Sequence, residues 1–242
     1  MITPLSIVLF GLLLGMRHAT DADHVVAVTT MVSREHSIRR AALIGALWGI
    51  GHTVTVVLAG GVILWLGVVI PRRTGLALEF TVALMLIALG VFNLRGLLEW
   101  LKNRFGNSPQ ATRAQQEFCE ADMANHAGSF DPWLGRLAFF QILRPLVVGV
   151  VHGLAGSAAL ALLVLPIIHE PAWALAYLVV FGAGTIAGMM LITAAIAVPV
   201  TFTVKRSAAV HRRLGVASGL LSTAFGLFLV YQIGFVQGLF TK

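Results

Sequence analysis

Six long apolar segments limit what this chain can fold into. They lie near residues 4–32, 41–69, 76–100, 137–168, 173–199 and 212–238. Each reaches the roughly 20 residues that an α-helix needs to cross the hydrocarbon core of a bilayer. Because lipid offers the backbone no hydrogen bonds, a segment of this kind must satisfy its own peptide groups as a helix. The sequence therefore predicts an all-α, polytopic membrane protein with six transmembrane helices.

The composition agrees with a lipid environment. Of the 242 residues, 58% are hydrophobic and only 11% are charged, whereas soluble domains contain about 25% charged residues. The formal net charge is +7, but in membrane proteins Lys and Arg collect in cytoplasmic loops, so we expect no nucleic-acid partner. The single cysteine, Cys119, excludes an intramolecular disulfide and a dithiol redox mechanism.

Three segments, the first, second and fourth, are longer than a straight crossing requires. A tilted helix accounts for such length, and so does a helix that is broken or re-entrant. The stretch 101–136 is the one large polar loop. It divides the chain into residues 1–100 and residues 137–242, each with three predicted helices.

The two halves carry a weak internal repeat. Gly15–Ala19 resembles Gly149–Gly153, Gly49–Gly51 resembles Gly182–Gly184, and Gly90–Phe92 resembles Gly226–Phe228. Because three helices are an odd number, two such repeats must insert in opposite orientations, which is a common plan among transporters. The sequence thus predicts two inverted three-helix repeats that place His18 and His152 in equivalent positions.

Basic residues predict the orientation of the chain. The loops 33–40, 101–136 and 200–213 each contain at least three Lys or Arg, and the loop 169–172 contains none. The excess of positive charge in cytoplasmic loops places the three basic loops in the cytoplasm and both termini outside. Arg72–Arg73 fall in an outer loop and disagree with this scheme.

The first segment contains an unusual run of polar residues, Arg-His-Ala-Thr-Asp-Ala-Asp-His, from Arg17 to His24. Asp21 and Asp23 have apolar sequence well beyond them on both sides. Each costs about 2.5–3.5 kcal/mol to insert at a helix centre, whereas a Leu or Ile returns only about 0.3–0.6 kcal/mol. Ionisable groups at this depth are candidates for function.

Imidazole beside carboxylate is typical of a transition-metal site. Histidine nitrogen suits Ni²⁺, Co²⁺ and Zn²⁺, whereas Ca²⁺ and Mg²⁺ prefer oxygen ligands. On an ideal helix, His18, Asp21 and His24 share one face and Asp23 points away. That conflict predicts a distortion at Thr20–Asp23, or a role for Asp23 in orienting a direct ligand. An ion pair between Arg17 and Asp21 is the structural alternative, but it leaves the other members unexplained.

Further polar residues lie in other apolar segments. His52 follows a glycine that permits close helix contact, and His152 is followed by small residues. The predicted metal ligands are His18, Asp21, Asp23, His24, His52 and His152, and the predicted supporting residues are Arg17, Asn93 and Ser157. In the large loop, Cys119, Glu120, Asp122 and His126 match no standard ligand spacing, which favours a solvated surface over a transient metal site.

The pattern His-x-x-x-x-Asp-His, from His18 to His24, resembles the first motif of the nickel/cobalt transporter (NiCoT) family. Gly51–Thr53 is similar to the Gly-His-Ser/Thr segment of that family. The resemblance implies secondary transport of Ni²⁺ or Co²⁺, with His18, Asp23 and His24 essential. It also implies that the ion is a transported substrate and that no cofactor is permanently bound.

The sequence departs from the family pattern in two ways. Typical members have eight helices, whereas six are predicted here, as if a leading helix were missing. A later family motif, Leu-Gly-Phe-Asp-Thr-Ala-Thr-Glu, corresponds best to His152–Ala159, which has neither carboxylate. In both respects the chain is more similar to the smaller UreH-like urease accessory membrane proteins, and the choice of metal stays open.

Functions other than metal transport fit the sequence less well. An exporter of small organic solutes needs no His/Asp cluster, and a membrane metalloenzyme needs a general base beyond its ligands. A cation channel is expected to have acidic groups along several helices. The chain has no Gly-x-x-x-x-Gly-Lys-Ser/Thr loop, so we expect no ATP hydrolysis.

We therefore predict a secondary transporter in the cytoplasmic (inner) membrane, and not an enzyme. Its substrate is Ni²⁺ and/or Co²⁺, or another divalent metal. The predicted partners are the metal ion and membrane lipid, with no nucleic acid. A homo-oligomer, a cytosolic metallochaperone and urease-maturation proteins are compatible with the sequence.

Overall fold

The computed structural model describes residues 4–33, 35, 37–67, 71–105, 132–155, 170–204 and 208–240. Within these ranges the regular structure is entirely helical, with no strand. The helices are α1 (Pro4–His18), α2 (Ala22–Val32), α3 (Ile38–Leu66), α4 (Arg72–Phe105), α5 (Pro132–Leu154), α6 (Pro171–Val204) and α7 (Ala208–Tyr231), followed by a π-helical turn (Gln232–Val236). The prediction of an all-α protein is confirmed.

Four of the described helices are long and apolar enough to cross a bilayer. Their candidate spans are Ile38–Leu66, Arg72–Leu94, Pro171–Phe202 and Arg213–Val236. Shorter apolar stretches are Val8–His18, Ala22–Val32 and Ile142–Leu154. Large apolar side chains such as Trp65, Leu191 and Phe202 are exposed on the outer faces of these helices. A surface of this kind suits lipid as its surroundings.

The first predicted segment is a broken helix. The amides of Thr20 and Asp21 donate to the carbonyls of Arg17 and His18, at 2.8 and 3.0 Å, so the last turn of α1 tightens to i→i+3 spacing. Asp21 then takes an extended conformation (φ −61°, ψ 147°) and precedes α2. The extra length of this segment therefore comes from a break at Ala19–Asp21, which overlaps the distortion predicted at Thr20–Asp23.

The helix ends differ from the predicted segment ends. α4 continues to Phe105 and α5 begins at Pro132, so both enter the predicted loop 101–136, and α6 continues to Val204, inside the predicted loop 200–213. The cause is that apolar sequence marks the hydrocarbon layer, whereas a helix can extend through its polar ends into the interface. The fourth predicted segment is described only to Ala155, where α5 has ended.

Close helix packing brings the elements together. α3 packs along α6 and α5, α6 packs along α1, and α4 packs along α7. Glycines permit these approaches: a Cβ on Gly15 would overlap the carbonyl of Phe181, and one on Gly51 would overlap the carbonyl of Leu146. α1 and α5 are thereby held against the central α3–α6 pair, with backbones in contact.

A buried side-chain amide of α4 contacts both α2 and α7. Asn93 of α4 lies with its Nδ2 atom 3.1 Å from Ser33 Oγ, 3.0 Å from Ser218 Oγ and 3.0 Å from the carbonyl of Gly215. It is also 3.4 Å from the carbonyl of Thr30. The structure thus places Asn93 at contacts between α4, the C-terminal end of α2 and α7.

Two glycines of α3 test the packing argument. Gly51→Ala is expected to lower the free energy of unfolding by about 1–3 kcal/mol, because the added methyl group collides with α5. Gly61 has nothing within 4 Å of its Cβ position, so Gly61→Ala is expected to raise it by up to about 1 kcal/mol through helix propensity. Unfolding of the two purified variants in the same detergent measures both; equal effects would contradict the packing argument.

Candidate metal centre

Four buried histidines converge at the break in the first segment. His18 ends α1, His24 lies in the first turn of α2, His52 is near the middle of α3, and His152 is near the end of α5. All four are at most 1% exposed. The ring centroids of His24 and His152 are 4.2 Å apart, those of His18 and His24 4.6 Å, and those of His18 and His52 5.2 Å.

The donor atoms form two groups of three with metal-binding spacing. His18, His24 and His52 form one group, and Asp23, His24 and His152 form the other; within each group the donor atoms lie within 4.8 Å of one another. His24 belongs to both, so the groups are adjacent. Imidazole nitrogen with carboxylate oxygen is a donor set suited to borderline divalent ions such as Ni²⁺, Co²⁺ and Zn²⁺.

The break directs Asp23 toward this centre. Because α2 begins anew at Ala22, Asp23 lies in the first turn of a separate helix and no longer follows the rotation of α1. Its Oδ2 atom is 3.2 Å from His152 Nε2, and its Oδ1 atom is 3.4 Å from His24 Nδ1 and accepts from the His24 amide at 3.1 Å. A carboxylate at a helix N-terminus is also favoured by the helix dipole.

Asp21 has a different position. It accepts a hydrogen bond from His18 Nδ1 at 2.9 Å, and its side chain is 41% exposed. Asp21 lies outside both donor groups. With Nδ1 donating to Asp21, the Nε2 atom of His18 carries a lone pair, which lies within hydrogen-bond distance of His52 Nε2, at 3.2 Å. A carboxylate that fixes the tautomer of a ligating histidine is a recurrent feature of metal sites.

Arg17 does not form the alternative ion pair. Its side chain is exposed, and among the described residues no salt bridge joins it to Asp21. Its carbonyl instead accepts from the amide and hydroxyl groups of Thr20 at the end of α1. The structure therefore places Arg17 at the turn between α1 and α2, outside the cluster of histidines.

Several ring nitrogens at the centre lack hydrogen bonds. Within the described part of the chain, both nitrogens of His24, both of His152 and Nδ1 of His52 are buried without an aligned partner. Each unsatisfied buried polar group costs about 1–3 kcal/mol and needs an explanation. Since lone pairs on imidazole are metal ligands, a bound cation would satisfy them.

Aromatic side chains and helix ends complete the surroundings. Trp48 stacks on His24 with a centroid distance of 5.8 Å, and Phe181 lies 5.5 Å from His18, so water is partly excluded and electrostatic interactions are strengthened. α1 ends at His18, and α5 ends two residues after His152. The C-terminal ends of two helices thus lie at the centre, and their partial negative charge favours a cation.

Sequence reasoning missed one carboxylate. Glu79 is the fourth residue of the predicted segment 76–100, so the sequence alone places it near a helix end. α4 begins at Arg72, so Glu79 lies two turns inside the helix, where it lines a cavity of about 140 Å³ together with Asp23. A charged residue inside an otherwise apolar span was the signal that could have identified it.

Several predicted residues lie outside the described ranges. Ser157 follows the end of α5, and the polar loop residues are Cys119, Glu120, Asp122 and His126. The roles predicted for them stay predictions.

Comparison with known proteins identifies the family. A family model described as "High-affinity nickel-transport protein" (NicO) matches residues 5–232. The chain belongs to this nickel-transporter family. It is also 33% identical over 237 residues to the urease accessory protein UreH of Bacillus sp. (strain TB-90). The aligned residues cover 98% of this chain and 95% of UreH. No solved structure gives a significant match.

Membership of the NicO family confirms the resemblance carried by His18–His24 and Gly51–Thr53. The family is one of transport proteins and not of enzymes. Together with the apolar helices, it identifies the chain as a multi-pass membrane protein of nickel transport that contains a His/Asp cluster with metal-binding spacing.

The shared position of His24 can be tested by metal binding. His24→Ala is expected to weaken Ni²⁺ binding more than His18→Ala or His152→Ala, because only His24 contributes to both donor groups. Isothermal titration of the purified proteins measures this, with Tyr177→Phe as a buried control outside both groups. Equal losses for the three histidines, or unchanged binding in His24→Ala, would contradict the shared role.

Proposed function

We propose that the protein is a secondary transporter that moves Ni²⁺ and/or Co²⁺ across the cytoplasmic membrane, and that the His/Asp cluster is its substrate site. The observation that carries the proposal is the convergence of four buried histidines and Asp23 from four different helices. Such groups oppose membrane insertion, so their presence in apolar segments is evidence of a function that requires them. Membership of the nickel-transporter family supports nickel as the substrate.

The direct ligands in this proposal are His18, Asp23, His24, His52 and His152. Asp21 orients the ring of His18 by accepting a hydrogen bond from its Nδ1 atom at 2.9 Å. Asp23 supplies negative charge that offsets part of the charge of the cation, and neutral imidazoles supply the lone pairs. Because histidine and aspartate must be deprotonated to bind metal, protons compete with the ion at this site, and that competition couples metal movement to proton movement.

Reciprocal glycine contacts support the inverted repeat. Four glycine contacts made by one half of the chain have a counterpart at the equivalent position of the other half. The pairs are Gly15–Phe181 with Gly149–Trp48, Gly51–Leu146 with Gly184–Leu12, Gly49–Ile186 with Gly182–Thr53, and Gly90–Gly219 with Gly226–Ala83. We infer six membrane-crossing segments in two inverted repeats, within residues 1–100 and 137–242, and a substrate site at their junction.

The proposed orientation places the start of α4 and the end of the chain outside. In support, Arg72 Nη2 donates to the carbonyl of Gln237 at 3.2 Å, so both lie on the same membrane face. The basic loops after α2 and α6, and the loop 101–136, are then cytoplasmic. This contact with the C-terminal region gives Arg72 a structural role, which explains in part why a basic residue lies in an outer loop.

The similarity to UreH supports a role in urease maturation. UreH is named a urease accessory protein, and we propose that this chain likewise supplies nickel for a urease or a comparable nickel enzyme. A cytosolic metallochaperone or a urease-maturation protein is then the partner that takes up the ion.

The alternative function, export of small organic solutes, does not explain the buried histidine nitrogens without hydrogen-bond partners at the centre.

Transport of ⁶³Ni²⁺ into cells that express the protein tests the proposal. Asp23→Asn and His18→Ala are expected to abolish the difference from cells without the protein, because each removes a ligand. Asp21→Asn is expected to reduce it less, since the amide oxygen can still accept from His18 Nδ1. Immunoblots of the membrane fraction control for expression. Undiminished Ni²⁺ and Co²⁺ handling in the first two variants at normal expression would rule the proposal out.

A further inference from the structure

A cavity of about 140 Å³ adjoins the His/Asp cluster. It is lined by Asp23, Glu79, Val82, Ala155, Leu229 and Ile233. The two carboxylates are its charged members, and the remaining lining residues are apolar. The volume admits several water molecules, so a partly hydrated ion can be accommodated.

The cavity lies between the cluster and one membrane face. Glu79 is seven residues after Arg72, which at 1.5 Å per residue places it about 10 Å below the start of α4. Leu229 and Ile233 come from the last turns of α7 and the π-helical turn. Since Arg72 contacts Gln237, these elements end at the same face as α4 begins.

Within the described ranges, Glu79 has no ion-pair partner that would explain a carboxylate at this depth. Among the described residues, no basic side chain pairs with it. At the other side of the cavity, Asp23 approaches His152 Nε2 at 3.2 Å, and His152 is fully buried with neither ring nitrogen hydrogen-bonded within the described chain. The cavity therefore joins an uncompensated carboxylate to an unsatisfied metal-ligand set.

We propose that this cavity is a cation vestibule, in which Glu79 receives the divalent substrate in partly hydrated form and passes it to Asp23. The inference rests on the proposed function of the His/Asp cluster. Carboxylate oxygen holds a hydrated divalent ion loosely, whereas imidazole nitrogen binds nickel and cobalt more tightly. The order of ligands thus gives a gradient of affinity from the membrane face to the cluster. The negative charge of Glu79, in the part of the cavity nearer the membrane face, also raises the local concentration of cations.

Uptake of Ni²⁺ into proteoliposomes, measured against Ni²⁺ concentration, tests the vestibule. Glu79→Gln is expected to raise the half-saturating concentration about tenfold, because the attracting charge is lost, and to abolish most of its dependence on ionic strength. Glu79→Asp keeps the charge and is expected to stay close to the unmodified protein. Glu170→Gln, at an exposed glutamate just before α6, is the matched control and is expected to change neither quantity.

A second pair of variants does not depend on Glu79. Leu229→Lys places a positive charge in the cavity and is expected to raise the half-saturating concentration well above that of Leu229→Gln, which has similar length and no charge. If the two Leu229 variants behave alike, or if Glu79→Gln matches Glu170→Gln, the vestibule is refuted. A Glu79→Gln protein that changes only the pH profile of uptake would refute it as well and indicate a proton route.

The outcomes separate this inference from the proposed function. Failure of the unmodified protein to transport either Ni²⁺ or Co²⁺, or normal transport by Asp23→Asn, would overturn the function itself. Normal transport by Glu79→Gln, with none by Asp23→Asn, would overturn the vestibule alone.

Discussion

The break at Ala19–Asp21 is the constraint on which the site depends. A continuous helix would carry Asp23 away from the face that His18 and His24 share, since Asp23 would be rotated by about 140° from His18 and about 100° from His24. By ending α1 at His18 and starting α2 at Ala22, the chain directs both acidic and basic groups to one place. Such irregular backbone is tolerated within a membrane where protein covers it or where it lines a cavity, and Ala19 is fully buried.

The packing around the break shows how it is sustained. α1 and α5 each end at the centre, and each is held against the α3–α6 pair by glycines that bring backbones into contact. Close packing of this kind is a main source of association between helices in lipid, where the hydrophobic effect contributes little. Loss of one such contact therefore acts on the position of His18 or His152 as well as on stability.

The chemistry of the centre and its energetic cost are two aspects of the same feature. Burying imidazole nitrogens without aligned partners destabilises the metal-free protein, whereas a divalent cation satisfies their lone pairs together. A substrate that binds only the folded chain also stabilises it, by an amount that rises with the logarithm of the substrate concentration. The site thus gains affinity from groups that are unfavourable when no ion is present.

Much of this site follows from the sequence, and the remainder depends on tertiary packing. The run from Arg17 to His24 could be identified because charges in an apolar segment are costly. An ideal helix already places Asp21 near His18, but the turn of Asp23 toward His152 could not be derived from it, since that turn follows from the break. Glu79 was missed because apolarity marks the hydrocarbon layer and not the start of α4.

The coordination of bound nickel tests the central claim most directly. X-ray absorption of the purified protein loaded with one equivalent of Ni²⁺ reports the atoms around the metal. The structure predicts a first shell of nitrogen and oxygen at about 2 Å, with outer-shell scattering from at least two imidazole rings that is weakened in a variant without His24 and His152. A shell of oxygen alone, or one containing sulfur from Cys119, would contradict a substrate site built at the break.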